Sequence, residues 1–341
     1  MASLGRQIIF KDSTLREGLD TRKVSFSVSQ KLKIVEQLIE LGVSEAEIVA
    51  PGNVLEDLSF ARAVKGKRLP IRTSGLIYAN RPDYPLQLER CDACLDRVDL
   101  LMPLSDRRTP HHAHEKISVL MEALAQCRSH ALDVGAGFPH STRVDPTFLL
   151  EISKKAVAKG ATRITLYDTN GSADPFEVHS LVKRLAEKLA APLFFHGHND
   201  LGLATANSWA AICAGARGLD VTINGLGDRA GNASLEQLAT LLHLKGVGTG
   251  INLIALKRAS RLVEAISRIA VSKLAPVVGE YVFDHKSPSH LTVPTEFEAF
   301  DPSLIGGVRH IEQSRRQTAV RQGRKRVSKS DQARKGSRQG S

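Results

Sequence analysis

The sequence predicts an α/β fold: a closed (β/α)8 TIM barrel over residues 1–270, then a short C-terminal appendage (271–313) and a disordered basic tail (314–341). Three observations lead there. Short aliphatic or β-branched runs alternate strictly with longer amphipathic segments, eight such runs occur, and the unusual polar residues fall just after them. Alternation of helices with near-continuously apolar strands argues a parallel sheet covered by helices, and eight repeats argue closure into a barrel.

The strand candidates are residues 8–14, 45–51, 72–79, 97–104, 131–139, 163–169, 192–198 and 219–227. Between them lie helical patterns such as residues 27–42, with Val28, Leu32, Val35, Leu38 and Ile39 at helical spacing, and residues 145–160, which Asp145 and Pro146 start. Asp12 to Glu17, Ser105-Asp106, Arg143, Asp168-Thr169, His196, His198 and Asn224 to Asn232 all sit at or beyond the carboxyl ends of these strands. A packed core has no use for so many polar groups there, whereas barrel enzymes keep their chemistry on that face. An open doubly wound sheet would want a glycine-rich dinucleotide turn after the first strand, and KDSTLREG is not one.

After the barrel pattern, a further helix is expected over residues 252–270, followed by the polar, Pro-rich appendage, too short for a core of its own. The formal net charge of +11 resides mostly in residues 314–341, where ten Lys and Arg face the single acid Asp331. Any contact with nucleic acid or anionic lipid is therefore confined to this tail, and a solvated tail of no specific role is the simpler reading. No apolar stretch reaches the roughly 20 residues of a membrane span, and the amino terminus has no signal-peptide pattern. Four scattered cysteines (Cys91, Cys94, Cys127, Cys213) do not make a disulfide framework, which fits a cytoplasmic protein. Cys91 and Cys94 have the spacing of half a zinc ribbon, but without a second pair they read as helix cysteines.

His196-Gly197-His198 ends the seventh strand pattern. Residues i and i+2 of a strand point to one side, so both imidazoles face the barrel mouth. With a carboxylate from Glu17, just past the first strand, they would form a site for a divalent cation with positions open to substrate.

Asp12 to Gly18 (DSTLREG), His196 to Asp200 (HGHND) and Gly225 to Asn232 (GLGDRAGN) resemble, in order, the three signature segments of the metal-dependent acyl-condensing barrel family. That family contains homocitrate synthase, isopropylmalate synthase and hydroxymethylglutaryl-CoA lyase. The Asp168-Thr-Asn-Gly171 run is similar to the end of its sixth strand. The resemblance implies a divalent metal (Zn, Mg or Mn) on Glu17, His196 and His198, with Asn232 as a further ligand or partner. It places Arg16 at the oxygen that becomes negative in the reaction, Thr169 on a substrate carboxylate, and His290, with His285 as the alternative, as the base that takes a proton from acetyl-CoA. Asp12 and Arg229 read as supports of the site.

The activity implied by the resemblance is that of an acyltransferase condensing acetyl-CoA with a 2-oxo acid, expected as a homodimer. Glu17 rather than aspartate leans toward homocitrate synthases and 2-oxoglutarate, with Arg143 available to a distal anionic group. The chain departs from the family at Leu19-Asp20, where the substrate contact at Asp20 changes, at Phe297, where a tyrosine is expected beside the base, and in GFPHSTR, which lacks an acidic pair. These departures keep open a relative of 2-phosphonomethylmalate synthase and a non-catalytic barrel. The eighth-strand loop lacks the cysteine of the lyases, which favours condensation over cleavage.

Overall fold

In the computed structural model, residues 7–50, 54–104, 113–127, 130 and 132–311 are described. The basic tail and Ser105-Asp106 lie outside the described residues. The chain separates into two compact units between Val271 and Ser272.

The first unit is the expected barrel. Strands β1 (Ile9–Asp12), β2 (Glu45–Val49), β3 (Arg72–Tyr78), β4 (Arg97–Leu101), β5 (Asp133–Phe138), β6 (Ile164–Asp168), β7 (Leu193–Gly197) and β8 (Gly218–Val221) pair in sequence order. Every pairing is parallel, and β8 closes on β1 with Ile9 opposite Gly218 and Asp12 opposite Val221.

The helices obey the local signals. After the four-residue α1 (Thr14–Glu17), α2 (Val28–Leu41) starts at Ser27, whose side chain and that of Gln30 form a reciprocal capping box. Outside the strands then lie α3 (Val54–Gly66), α4 (Tyr84–Asp92), α5 (Ala113–Gln126), α6 (Pro146–Ala158), α7 (Pro175–Ala186), α8 (Ala204–Cys213), α9 (Leu235–Leu244) and α10 (Leu256–Ser267). Asp145 caps α6 through the amides of Thr147 and Phe148, and Asp174 caps α7 with Glu177. The helix expected over 252–270 is shorter because residues 253–255 form a 3-10 turn before α10. Cys91 lies in the last turn of α4, which ends at Asp92, while Cys94 lies just beyond it. Burial pushes the Cys91 thiol up to about 12, so the pair is inert.

Two expectations need correction. The predicted strands run past their real ends, most of all at 219–227, where β8 stops at Val221 and a 3-10 turn over 223–225 begins the next loop. The strands are also not uniformly apolar. Their barrel-facing positions carry buried charge: Lys11 bonds Glu47 at 2.7 Å and Asp220 at 2.8 Å, and nearer the amino ends of the strands Arg163 pairs with Glu45 at 2.8 Å and Asp99 at 2.6 Å. Burial opposes the Lys11 charge, but Asp220, Glu47 and Asp99 outweigh it and raise its pKa. Aliphatic side chains instead fill the layer between strands and helices, for instance Ile34, Leu38, Ile152 and Leu238.

The second unit contains β9 (Asp284–His285), α11 (Pro288–Thr292) and β10 (His310–Ile311), with β9 and β10 paired in parallel. Phe283 packs edge-on against Phe300, ring centroids 5.4 Å apart. Glu298 ties the unit together by accepting from His285 Nε2 at 2.9 Å and from the Arg309 guanidinium. Among the described residues no helix is long and apolar enough to cross a membrane.

Candidate metal centre

The carboxyl ends of β1 to β7 converge on one pocket of about 250 Å³, lined by Arg16, Glu17, Asp20, Thr169, His196 and His198 among others. A larger cavity of about 1000 Å³ opens where β2 to β5 begin, beside Ser44, Arg72, Asp96 and Asp133. That is the amino-terminal face of the barrel, away from where barrel enzymes build sites.

Glu17 comes from α1, the single turn that β1 feeds directly. His196 is in β7 and His198 one residue beyond it, two positions apart and therefore on the same side. The Nε2 atoms of the two imidazoles lie 3.3 Å apart, and Glu17 Oε1 lies 3.4 Å from His196 Nε2. One donor atom from each of the three buried residues falls within 4.8 Å of the others, an arrangement that could hold a metal ion. His196 Nδ1 faces Asp220 Oδ2 at 3.1 Å, which places the ring proton on Nδ1 and leaves Nε2 as the lone-pair donor. Burial and the neighbouring His196 push His198 down to about 3, so its ring is neutral near pH 7. Burial raises the Glu17 carboxyl, but Arg16 and the two imidazoles outweigh it and hold it below its ordinary range. Glu17 and His198 are thus shifted toward the unprotonated forms that a divalent cation requires.

Asn232 reaches the same place, its Nδ2 3.1 Å from His196 Nε2 and its Oδ1 buried without a partner. Turning the amide would present Oδ1 to an ion. The loop that delivers it depends on two glycines. A Cβ on Gly227 would collide with Asn232 Oδ1, and Gly231, at φ +87, could carry none without striking the Gly225 carbonyl oxygen.

Arg16 spans two carboxylates, with Nη1 2.5 Å from Glu17 and Nε on Glu47, while its buried Nη2 has no partner. Thr169 Oγ1 accepts from the His140 amide at 2.8 Å, leaving its hydrogen free to donate. Arg229 clamps Asp200 at 2.8 Å and the Thr169 carbonyl at 2.7 Å, while Asp12 accepts from the Thr14 amide and hydroxyl, so both brace the site. Asp20 stands exposed on the pocket rim, its carboxyl raised by partial burial and by Glu17.

Arg143 does not line the pocket. It is exposed, on the turn after β5, and bonds Ser172 at 3.2 Å. His290 belongs to the second unit, stacked on Phe297 with centroids 3.9 Å apart, whereas His285 is buried and held by Glu298. Sequence reasoning missed Glu47, which aims Arg16, Asp220, which orients His196, and Tyr167, whose ring lies 4.8 Å from that of His196. The signal for the first two was charge at barrel-facing strand positions, such as Glu45 and Glu47 in EAEIV.

Comparison with known proteins agrees with this geometry. The chain is 34% identical to homocitrate synthase 1 of Nostoc sp. over 89% of its length and 82% of the relative. It is equally identical to a probable 2-isopropylmalate synthase of Ignicoccus hospitalis, covering 91% of the chain and 80% of the relative. Among solved structures, hydroxymethylglutaryl-CoA lyase from Pseudomonas aeruginosa superposes with a TM-score of 0.66 over 78% of this chain and 94% of that one. The carboxyl transferase domain of Rhizobium etli pyruvate carboxylase gives 0.64 over 76% and 47%. At 20% and 18% identity these two speak for the barrel alone. Residues 7–263 match the HMGL-like family, and with relatives above 30% identity along most of its length the chain belongs to that family.

Proposed function

We propose that the chain catalyses a divalent-metal-dependent Claisen condensation of acetyl-CoA with a 2-oxo acid, the homocitrate synthase-like reaction. The observation that carries this reading is the convergence of Glu17, His196 and His198 beside the unsatisfied guanidinium nitrogen of Arg16. When bound, the cation supplies Lewis acidity at the keto oxygen of the 2-oxo acid. The chain's own residues do the rest. Arg16 Nη2 donates to the oxygen that gains negative charge, held in place by Glu17 and Glu47. Thr169 donates to the substrate carboxylate. His290 takes a proton from the acetyl methyl group, the methyl carbon bonds to the keto carbon as the carbonyl π pair moves onto the keto oxygen, that oxygen then takes up a proton, and a water molecule cleaves the thioester to release CoA. The three-ligand set and the relatives' names support this reading.

Proton removal can be watched separately from bond formation. With an unreactive 2-oxo acid analogue bound in D2O, the protein is expected to exchange the acetyl-CoA methyl protons, and His290→Ala to slow that exchange by about 10²-fold or more while sparing metal binding. Exchange in the variant as fast as in the parent would exclude His290 as the base. No exchange in the parent would count against the condensation.

A further inference from the structure

A row of register partners crosses the barrel wall at the level of the metal centre. His196 of β7 lies opposite Asp220 of β8, and Asp220 lies opposite Lys11 of β1. Residues in register on paired strands share a side of the sheet, and here all three side chains turn into the barrel. Lys11 is fully buried. Its ammonium lies 2.8 Å from Asp220 Oδ2, the same oxygen that faces His196 Nδ1 at 3.1 Å. It also donates at 2.7 Å to Glu47 Oε1, while Glu47 Oε2 accepts from Arg16 Nε. One cation thus touches both carboxylates that aim functional side chains.

An ammonium is a compact charge with three donors, suited to bridging two acids. Without it, Glu47, Asp220 and Asp99, whose Oδ2 is 3.7 Å from the same nitrogen, would face one another across a buried interior. Like charges repel strongly there, so a carboxylate would turn away or take a proton. Asp220 would then stop orienting His196, or Glu47 would stop holding Arg16. Buried charge alone does not make this connection. Among the described residues, Arg163 pairs with Glu45 and Asp99, and those two acids contact neither Arg16 nor His196.

We infer that Lys11 is a positioning residue for both halves of the site, fixing the His196 ring through Asp220 and the Arg16 guanidinium through Glu47. The first half stands on the metal site alone, whereas the second rests on the condensation reading.

The test is made against Asp99→Asn, which alters the Arg163 side of the network. Lys11→Met and Lys11→Gln are each added to that variant, so that one positive and one negative charge leave the interior together. Binding of Co2+ to the metal-free proteins is followed by its visible absorption, with melting temperatures on the same samples. Asp99→Asn should bind Co2+ within about threefold of the parent, whereas Lys11→Met/Asp99→Asn should bind about 10–100-fold more weakly. With Co2+ saturating, the Lys11→Met addition should lower kcat for CoA release by about tenfold or more, and change KM for the 2-oxo acid by less than about threefold. Co2+ affinity in either folded Lys11 variant equal to that of Asp99→Asn would overturn the His196 half. Equal kcat, or a loss confined to KM, would overturn the Arg16 half. Failure of both Lys11 variants to fold, or an equal loss of Co2+ affinity in Asp99→Asn alone, would make Lys11 a stabilising group only. If the parent binds Co2+ but releases CoA with no 2-oxo acid, the condensation reading and the Arg16 half fail together, and the Co2+ affinities still decide the His196 half. A parent that binds no Co2+ would overturn the metal centre itself and Lys11's part in it.

Discussion

Replacing His196 or His198 with alanine is expected to take bound metal from about one ion per chain to far below stoichiometric and to lower condensation by more than about 100-fold. Loss of a mere outer-sphere partner of a metal site already costs about 10–100-fold in affinity or activity, and these two residues offer two of the three atoms that could hold the ion. The fold should survive. Both rings face the pocket rather than the aliphatic layer, and Asp220, relieved of His196, keeps Lys11 at 2.8 Å. Metal analysis after dialysis, circular dichroism and CoA release would be measured on the same preparations. Full activity in the double alanine variant would sink the proposal.

Arg16→Ala should act differently. Removing one preorganised donor to a developing negative charge costs about 10²–10³ in kcat, whereas binding of the ground-state 2-oxo acid should weaken only a few-fold. The same substitution deprives Glu17 of the cation that most strongly lowers its pKa, so that carboxyl should rise. Metal binding needs the carboxylate ionised, so the pH midpoint of metal uptake should move upward in the variant, while Glu47 stays ionised through Lys11. A raised KM with kcat preserved would mean that Arg16 contributes to binding alone.

The fold and most of this site are legible in the sequence because their signals are local. Helix starts at Ser27, Asp145 and Asp174 are fixed by side chains three residues or fewer from the amides they cap. The two histidines share a side by strand periodicity alone. What escaped is what barrel closure creates. Lys11 and Asp220 meet because β8 pairs with β1 across the closing seam, and Glu47 reaches Arg16 from the neighbouring strand. Summing polarity over each run hides such charges, whereas reading every second strand position would have shown them. Arg143 illustrates the opposite error: its place after β5 puts it on the active face, but spacing does not say where a long side chain turns, and this one turns to Ser172. Tyr167 was passed over because an aromatic residue inside a strand reads as packing, and only the missing partner of its hydroxyl marks it out.

The central claim is metal-dependent condensation, and CoA release tests it most directly. Protein incubated with acetyl-CoA and a panel of mono- and dicarboxylic 2-oxo acids should liberate free thiol only when a 2-oxo acid is present. A chelator should stop the release, and added divalent ion should restore it. Thiol release indifferent to both the chelator and the 2-oxo acid, or none from any acid in the panel with metal bound, would contradict the account.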